Sequence, residues 1–214
     1  NKELVYEIGK IVGNDCLDAK VTFLYGPGAN IHRSPYSGRN FEYYSEDAFL
    51  SYEIGKNEVA GIESKGVRVV MKHFALNDCE QDRLGQAAWL SEQAAREIYL
   101  KAFQGALENE NGNGVMMAYT RWGTQWSGSV PGLNHIMRTE WNNNGLNITD
   151  NILTAYVNPL DGIFGITSTC DSMMAFMPIG DLEPYENDPV VVSKMKEACH
   201  HNLYALANSL AMNG

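Results

Sequence analysis

The chain has 214 residues and a formal net charge of −10, from 16 basic and 26 acidic side chains. This length favours one domain, and a composition of 44% hydrophobic and 20% charged residues is typical of a globular protein. No apolar run approaches the ~18 residues of a membrane-spanning helix. The acidic balance argues against binding to nucleic acid or to an anionic membrane surface, and a neutral or cationic ligand suits it better.

The first half of the chain alternates short apolar runs with longer amphipathic stretches. Its first residues read as part of a helix and not as a signal peptide, and the chain does not begin with Met. The elements predicted next are a strand at 21–25, a loop rich in Gly, Pro and Asn to about residue 45, a helix at 46–64, a strand at 67–71 and a loop at 73–90. The apolar run at 67–71 is typical of a parallel strand covered on both faces.

The second half repeats this alternation. A helix is predicted at 91–109, with a buried stripe of apolar residues at helical spacing, namely Ala95, Ile98, Ala102 and Ala106. After it come a strand at 114–118, a short helix at 134–143, a strand at 146–149 and a weaker strand at 166–173. Asp188 as a capping residue and Pro189 at the first helical position predict a last helix that runs to about residue 212.

Strands that alternate with helices of this length indicate an α/β fold with a parallel sheet. A doubly wound sheet would carry a phosphate loop after its first strand, but residues 26–30 (GPGAN) do not fit G-x-G-x-x-G. Polar residues instead follow the ends of four strands: His32, Arg33 and Arg39; Lys72 and His73; Tyr119, Arg121 and Trp122; and Asp150. A (β/α)8 barrel needs eight strands and about 250 residues. The four or five strands predicted here therefore fit either an open sheet or a partial barrel.

Five motifs stand out in these segments. They are GRNFEYYSED at 38–47, KHFA at 72–75, REIYL at 96–100, VMMAY at 115–119 and GLNITD at 145–150. In sequence and in order they resemble motifs of family 3 of the glycoside hydrolases, and they span most of the chain. The resemblance implies a partial (β/α)8 barrel from the catalytic domain of that family.

The resemblance also implies a set of site residues. Asp150, at the end of a strand, would be the nucleophile that forms a glycosyl-enzyme intermediate, and nearby cations would keep its pKa low. The side chains implied to hold the sugar are Arg39, Lys72 and His73 as hydrogen-bond donors, with Met116 and Tyr119 lining the same subsite. The resemblance implies no metal and no organic cofactor.

Three departures from the family pattern qualify this assignment. The sequence has no counterpart of the family's upstream Asp-Gly-Pro-type motif, nor of the sandwich domain that carries the acid/base in many members. We therefore expect residues 1–214 to be the C-terminal portion of a barrel domain, without its first strands and without the α/β sandwich domain. The loop after His73 lacks the second His of N-acetylglucosaminidase-like members and offers only Asp78, Glu80 and Asp82 as substitute acids. Asn151 stands where β-glucosidases commonly have an aromatic residue, which leaves the aglycone preference open.

The resulting prediction is a retaining glycoside hydrolase for terminal β-D-glucosides or related β-glycosides. Its expected partners are a β-glycoside or oligosaccharide substrate, together with the missing remainder of the barrel and the sandwich domain or another chain that covers the open sheet edge. Alone, the 214-residue piece is expected to be inactive. Two alternatives remain: a vestigial, non-catalytic carbohydrate-binding fragment, and another specificity such as that of a β-xylosidase.

Other chemistry-bearing residues favour structural roles. The cysteines, at positions 16, 79, 170 and 199, form no C-x-x-C pair and are predicted to be reduced, mostly buried thiols. His135 and the pair His200–His201 are predicted to lie on helix surfaces rather than to bind a metal. Trp122 and Trp126 fit two roles equally well, stacking on a sugar ring or ordinary packing.

Overall fold

The structure is a computed structural model that describes residues 1–108, 113–152, 165–168, 170–174 and 183–213. Its strands are β1 (Phe23–Leu24), β2 (Arg68–Phe74), β3 (Ala87–Ala88), β4 (Gly114–Met117), β5 (Arg121–Trp122), β6 (Gln125–Trp126) and β7 (Asn147–Thr149). Its helices are α1 (Lys2–Asp18), α2 (Ala48–Glu63), α3 (Glu92–Ala94), α4 (Lys101–Leu107), α5 (Pro131–His135), α6 (Pro189–Ala207) and α7 (Leu210–Asn213). Within these ranges, no helix is long and apolar enough to cross a bilayer.

The main sheet confirms the predicted α/β class. Four strands pair in parallel in the order β1-β2-β4-β7, so each strand lies beside its predecessor along the chain. A doubly wound sheet reverses its order at a switch point, whereas a barrel adds strands in sequence. The observed order is the one expected for an arc of a (β/α)8 barrel.

The fifth strand, predicted at 166–173, does not form over the described residues of that range. Residues 165–168 are helical, and residue 169 lies outside the described residues. Residues 170–174 contact β7 through a parallel bridge between Ser172 and Ile148 and through main-chain hydrogen bonds such as that from the Thr149 N–H to the Ser172 oxygen at 3.1 Å. These contacts place the segment at the next position of the arc beyond β7.

Strand β2 is longer than predicted. The apolar run suggested an end at Met71, but the strand continues to Phe74 and so contains Lys72 and His73. Phe74 extends the strand because its ring is fully buried and packs edge-on against Phe103, at 5.3 Å between ring centroids. Two polar side chains are thereby fixed on a rigid strand rather than on a loop.

The helix predicted at 91–109 contains a π-helical segment, Ala95–Tyr99, between α3 and α4, and residue 109 lies outside the described residues. A π turn holds one residue more than an α turn and so shifts the helical register. Ile98, predicted to be buried, is consequently 40% exposed, while Leu100 is 1% exposed and joins Ala102 in the core. Likewise, the short helix predicted at 134–143 begins earlier, at Pro131, and continues as a π segment, Ile136–Glu140.

A second, three-stranded sheet was missed by the sequence patterns. β5 pairs with β3 in parallel and with β6 antiparallel, around a turn in which Gly123 has a φ of +60°. Strands of two residues are too short to show alternation. In this sheet Trp126 is buried, and its indole N–H donates to the main-chain oxygen of Ala118 at 2.8 Å, so Trp126 has a packing role.

Helices α1 and α2 approach each other backbone to backbone. A Cβ atom added at Gly9 would lie 2.1 Å from the main-chain oxygen of Glu58, and one at Gly61 would lie 2.2 Å from that of Tyr6. Only glycine fits at such distances, so these two positions fix the crossing of the first two helices.

Helix α6 begins as predicted, with the Asp188 side chain accepting hydrogen bonds from the backbone of Val190 and Val191. It ends earlier, at Ala207, before the short helix α7. Its His201 is not a surface residue as predicted, because Nδ1 lies 2.7 Å from the carboxylate of Asp171 and both side chains are largely buried. The cysteine prediction holds for Cys16 and Cys170, which are free and buried, whereas Cys199 is exposed.

We expect Glu63 to make the stability of the fold pH-dependent. Burial raises the pKa of this carboxyl to about 7, although the ion pair with Arg68 at 3.1 Å opposes the shift. A carboxyl with a raised pKa in the folded state stabilises the fold below its ordinary pKa and loses that contribution as the pH rises through the raised value.

The test is urea unfolding at several pH values between 4.5 and 7.5. As the pH rises over this range, the free energy of unfolding of the unchanged chain should fall by roughly 1–3 kcal/mol relative to that of the Glu63→Gln variant, which cannot ionise. Parallel stability curves across this window would show that Glu63 does not titrate there.

Candidate active site

The residues predicted to form a sugar site gather at one edge of the parallel sheet. They are Lys72 and His73 within β2, Met116 in β4, Arg39 after β1, Tyr119 after β4, and Asp150 after β7. Nε2 of His73 lies 3.7 Å from Oδ2 of Asp150, and the Tyr119 hydroxyl donates to the main-chain oxygen of Asn151. The carboxyl ends of neighbouring strands thus bring together residues that are far apart in sequence.

Asp150 is partly buried, and its carboxylate is fixed from its own loop. The backbone N–H of Asn151 donates to Oδ1 at 2.7 Å. Burial raises the pKa of this carboxyl, and the Asn151 hydrogen bond and the cations Arg83, Arg39 and Lys72 only oppose that shift. The prediction that nearby charges keep the pKa of Asp150 low is therefore wrong in sign, because desolvation outweighs the cations.

The cations of the site are held by two carboxylates. Glu42 pairs with Arg39 and lies 3.5 Å from the Lys72 ammonium, and Glu80 lies 3.7 Å from Arg39 and 2.9 Å from Arg83. These pairs fix three long side chains in one geometry, which lowers the entropy lost when they bind a ligand.

Arg83 and Glu42 are site residues to which the sequence interpretation assigned no role. The Arg83 guanidinium lies over the Tyr119 ring at 4.9 Å. Of the three cations, Arg83 most strongly opposes the rise in the pKa of Asp150. Glu42 lies inside the motif at 38–47, and this position is the sequence feature that could have identified it as a site residue. The only signal for Arg83 was its spacing of three residues from Glu80.

His73 is 2% exposed and acts as a neutral group. Burial, followed by the charges of Arg39, Lys72 and Arg83, lowers its pKa to about 2. Its peptide is held on both sides by the Asn30 amide, which accepts from the His73 N–H at 2.8 Å and donates to the His73 carbonyl at 2.9 Å. His73 therefore contributes hydrogen bonding and not charge.

Met116, in β4, is buried beside the polar residues of the site. It pairs with Lys72 on one side and Ile148 on the other, and it is buried in a small cluster with Val70. Its strand thus lies between β2, which contains His73, and β7, which Asp150 follows.

The three substitute acids differ in their surroundings. Asp78 is buried, accepts the backbone N–H of Ile31 at 2.9 Å, and has a pKa raised by burial to about 7. It lines a cavity of about 530 Å³ together with Arg33 and Tyr99, and neither Asp150 nor His73 is among the lining residues. Glu80 is committed to its ion pairs, and Asp82 has a left-handed φ of +53° in an exposed turn. Within the described ranges, no cluster of three or more His, Cys, Asp or Glu is arranged to hold a metal ion.

The chain matches the model of a known protein family and is similar in sequence to several characterised proteins. The family model of the glycosyl hydrolase family 3 N-terminal domain matches residues 1–162. Thermostable beta-glucosidase B of Acetivibrio thermocellus is 38% identical over 151 residues, which are 70% of this chain and 20% of that protein. An exo-alpha-(1->6)-L-arabinopyranosidase of Bifidobacterium longum is 38% identical over 155 residues, with the same two coverages.

The fold comparison agrees with the sequence comparison. The crystal structure of a beta-glucosidase from Paenibacillus barengoltzii matches with a TM-score of 0.90 at 31% identity, over 100% of this chain and 25% of the other. The chain spans about a fifth of the length of the curated relatives it matches.

Proposed function

Because the chain belongs to glycoside hydrolase family 3, we propose that it supplies the nucleophile and much of the sugar pocket of a retaining glycosidase for terminal β-D-glucosides. The observation that carries this proposal is the position of Asp150, at the carboxyl end of β7 and 3.7 Å from a buried, neutral His73. Hydrolysis with retention needs a carboxylate held rigidly beside hydrogen-bond donors. The names of the relatives, β-glucosidases above all, support the substrate class.

In the first step, a carboxylate oxygen of Asp150 attacks the anomeric carbon while the bond to the leaving oxygen breaks. A general acid gives that oxygen a proton, and the product is a glycosyl ester of Asp150. Arg39, Lys72, His73 and Arg83 are the donors that would hold the sugar hydroxyls. Burial of Asp150 favours this step, because attack converts a desolvated carboxylate into a neutral ester.

In the second step, water attacks the anomeric carbon of the ester, the acid/base takes the proton, and Asp150 leaves as a carboxylate. Glu42 and Glu80 are poor candidates for the acid/base, since both are committed to cations. We therefore place the acid/base outside these residues and propose that the rest of the barrel and a sandwich domain complete the site. The short span of the relatives that the chain matches supports this division.

We expect 2,4-dinitrophenyl 2-deoxy-2-fluoro-β-D-glucoside to label Asp150. The fluorine slows hydrolysis of the ester, and the good leaving group removes most of the need for an acid/base. Intact-mass spectrometry of the folded chain and of the full-length protein should show one glycosyl adduct, which peptide mapping should place on Asp150. Asp18→Asn, at an exposed residue of α1, is the matched control for Asp150→Asn.

The trapping experiment, together with turnover rates of two substrates, distinguishes a glucosidase from an enzyme of another specificity and from a non-catalytic binding domain. Protection of Asp150 by glucose supports the glucoside specificity, while faster turnover of an aryl α-L-arabinopyranoside than of the glucoside would assign the specificity of the Bifidobacterium relative instead. A folded full-length protein that binds glucose but takes no adduct would identify a vestigial binding domain and would overturn the proposal.

A further inference from the structure

We propose that Tyr43 and Asn77 set the tautomer of His73, so that its proton is on Nε2 and directed at Asp150. The use of this tautomer in catalysis rests on the proposed function, but the tautomer itself does not. Tyr43 and Asn77 are positioning residues, since they act on the site only through His73.

The two ring nitrogens of His73 face different partners. Nδ1 lies 3.2 Å from the Tyr43 hydroxyl, whose ring stands edge-on to the imidazole, and Nε2 faces Asp150 at 3.7 Å. Both the imidazole and the tyrosine are buried, so bulk water does not compete for these groups. A neutral imidazole has one N–H, and its neighbours decide which nitrogen carries it.

The first constraint comes from Glu80. A carboxylate only accepts hydrogen bonds, so the amide nitrogen of Asn77, and not its oxygen, must face Glu80 at 2.8 Å. The same nitrogen uses its second hydrogen on the Tyr43 hydroxyl oxygen, at 3.1 Å. A flipped amide would set its oxygen against the Glu80 carboxylate, which fixes the orientation of Asn77.

The second constraint passes from Tyr43 to His73. The hydroxyl oxygen of Tyr43 accepts from Asn77, and its own buried proton also needs an acceptor. Among the described residues the acceptor within hydrogen-bond distance is Nδ1 of His73, which is then the unprotonated nitrogen. Burial raises the pKa of Tyr43 above its ordinary value, so the hydroxyl keeps that proton. Since His73 is neutral, its single proton lies on Nε2.

The consequence for the site is a donor without a charge. The Nε2–H group faces the Asp150 carboxylate, or a sugar hydroxyl placed between the two, as a hydrogen-bond donor. In the opposite tautomer a lone pair would face the carboxylate and repel it. The chain of contacts from Glu80 through Asn77 and Tyr43 thus orients the group that stands beside the proposed nucleophile.

Long-range ¹H–¹⁵N correlation spectra of the full chain with ¹⁵N-labelled histidine test this without substrate. The His73→Gln variant identifies the His73 signals by their loss. The expected pattern is a protonated, pyrrole-type Nε2 and an unprotonated Nδ1 whose shift is moved upfield by its hydrogen bond. A proton found on Nδ1 of His73 in the unchanged protein would overturn the inference directly, whatever the trapping experiment shows.

Tyr43→Phe then tests the relay. Loss of the hydroxyl should move the Nδ1 signal of His73 downfield and raise the Nδ1–H fraction about fivefold, as expected for the loss of one net hydrogen bond. The control is Tyr44→Phe, because the neighbouring Tyr44 hydroxyl donates to Glu58 at 2.8 Å and should leave the His73 signals unchanged. Equal spectra for both variants would show that Tyr43 has only a structural role.

Discussion

In a protein that joins this chain to the rest of the proposed active site, Asp150→Asn should reduce kcat for an aryl β-D-glucoside by about 10⁴-fold, since an amide cannot act as the proposed nucleophile. The amide keeps the shape of the side chain and can still accept from the Asn151 N–H, so the fold should be retained. Initial rates with a good leaving group, together with an unchanged unfolding midpoint, would establish that chemistry and not stability is affected.

A second variant shows whether Asp150 is the nucleophile or only a nearby charge. In Asp150→Gly, added azide should enter the vacated space, attack the anomeric carbon and release α-glucosyl azide, with inversion. Recovery of that product requires that the missing carboxylate had been the attacking group. If an Asp150 variant kept more than a tenth of the activity of the Asp18→Asn control, Asp150 would not be the nucleophile. The absence of an azide product from a folded Asp150→Gly protein would contradict that role as well.

Asp171→Ala should lower the free energy of unfolding by about 3–5 kcal/mol, the cost typical of leaving a buried charge without its partner. The Asp171 carboxylate pairs with the Arg138 guanidinium, which is itself largely buried, and accepts the Asn147 N–H at 2.8 Å and a bond from His201 at 2.7 Å. One carboxylate therefore connects β7, the strand that Asp150 follows, to α6 and to the π segment Ile136–Glu140.

The matched control for this variant is Glu140→Ala. Glu140 makes two hydrogen bonds to Arg96, at 2.6 and 2.8 Å, but both side chains are about a third exposed. An exposed pair of this kind contributes about 0.2–1 kcal/mol. Urea unfolding of both variants should separate them clearly, and similar losses for the two would mean that the Asp171 network does not stabilise the sheet.

The parallel strands and the edge of the sheet that carries the candidate site could be predicted from local patterns, whereas the strand order could not. Apolar runs marked the four parallel strands, and polar residues directly after them marked the sheet edge where Asp150 and His73 meet. Both signals lie within a few residues of each element, which is the range over which periodicity and turn chemistry act. The family motifs then supplied the expected roles of those residues.

Features that depend on distant neighbours were not predicted. The π turn that exposes Ile98 leaves no local signal in the residue pattern, because the spacing of apolar residues around it fits an ordinary helix. The raised pKa of Asp150 depends on how deeply the assembled sheet edge buries it, which cannot be counted from nearby cations alone. Arg83 likewise becomes part of the site only when its loop folds over Tyr119.

The ion pairs of the site imply local electroneutrality. In the part of the chain that the structure describes, three cations meet three carboxylates at the sheet edge: Arg39, Lys72 and Arg83, with Glu42, Glu80 and Asp150. The excess negative charge of the chain therefore lies elsewhere, and it gives no indication of what the site binds. An uncharged, hydroxyl-rich ligand would meet many hydrogen-bonding groups whose charges sum to zero, so its affinity should vary little with ionic strength.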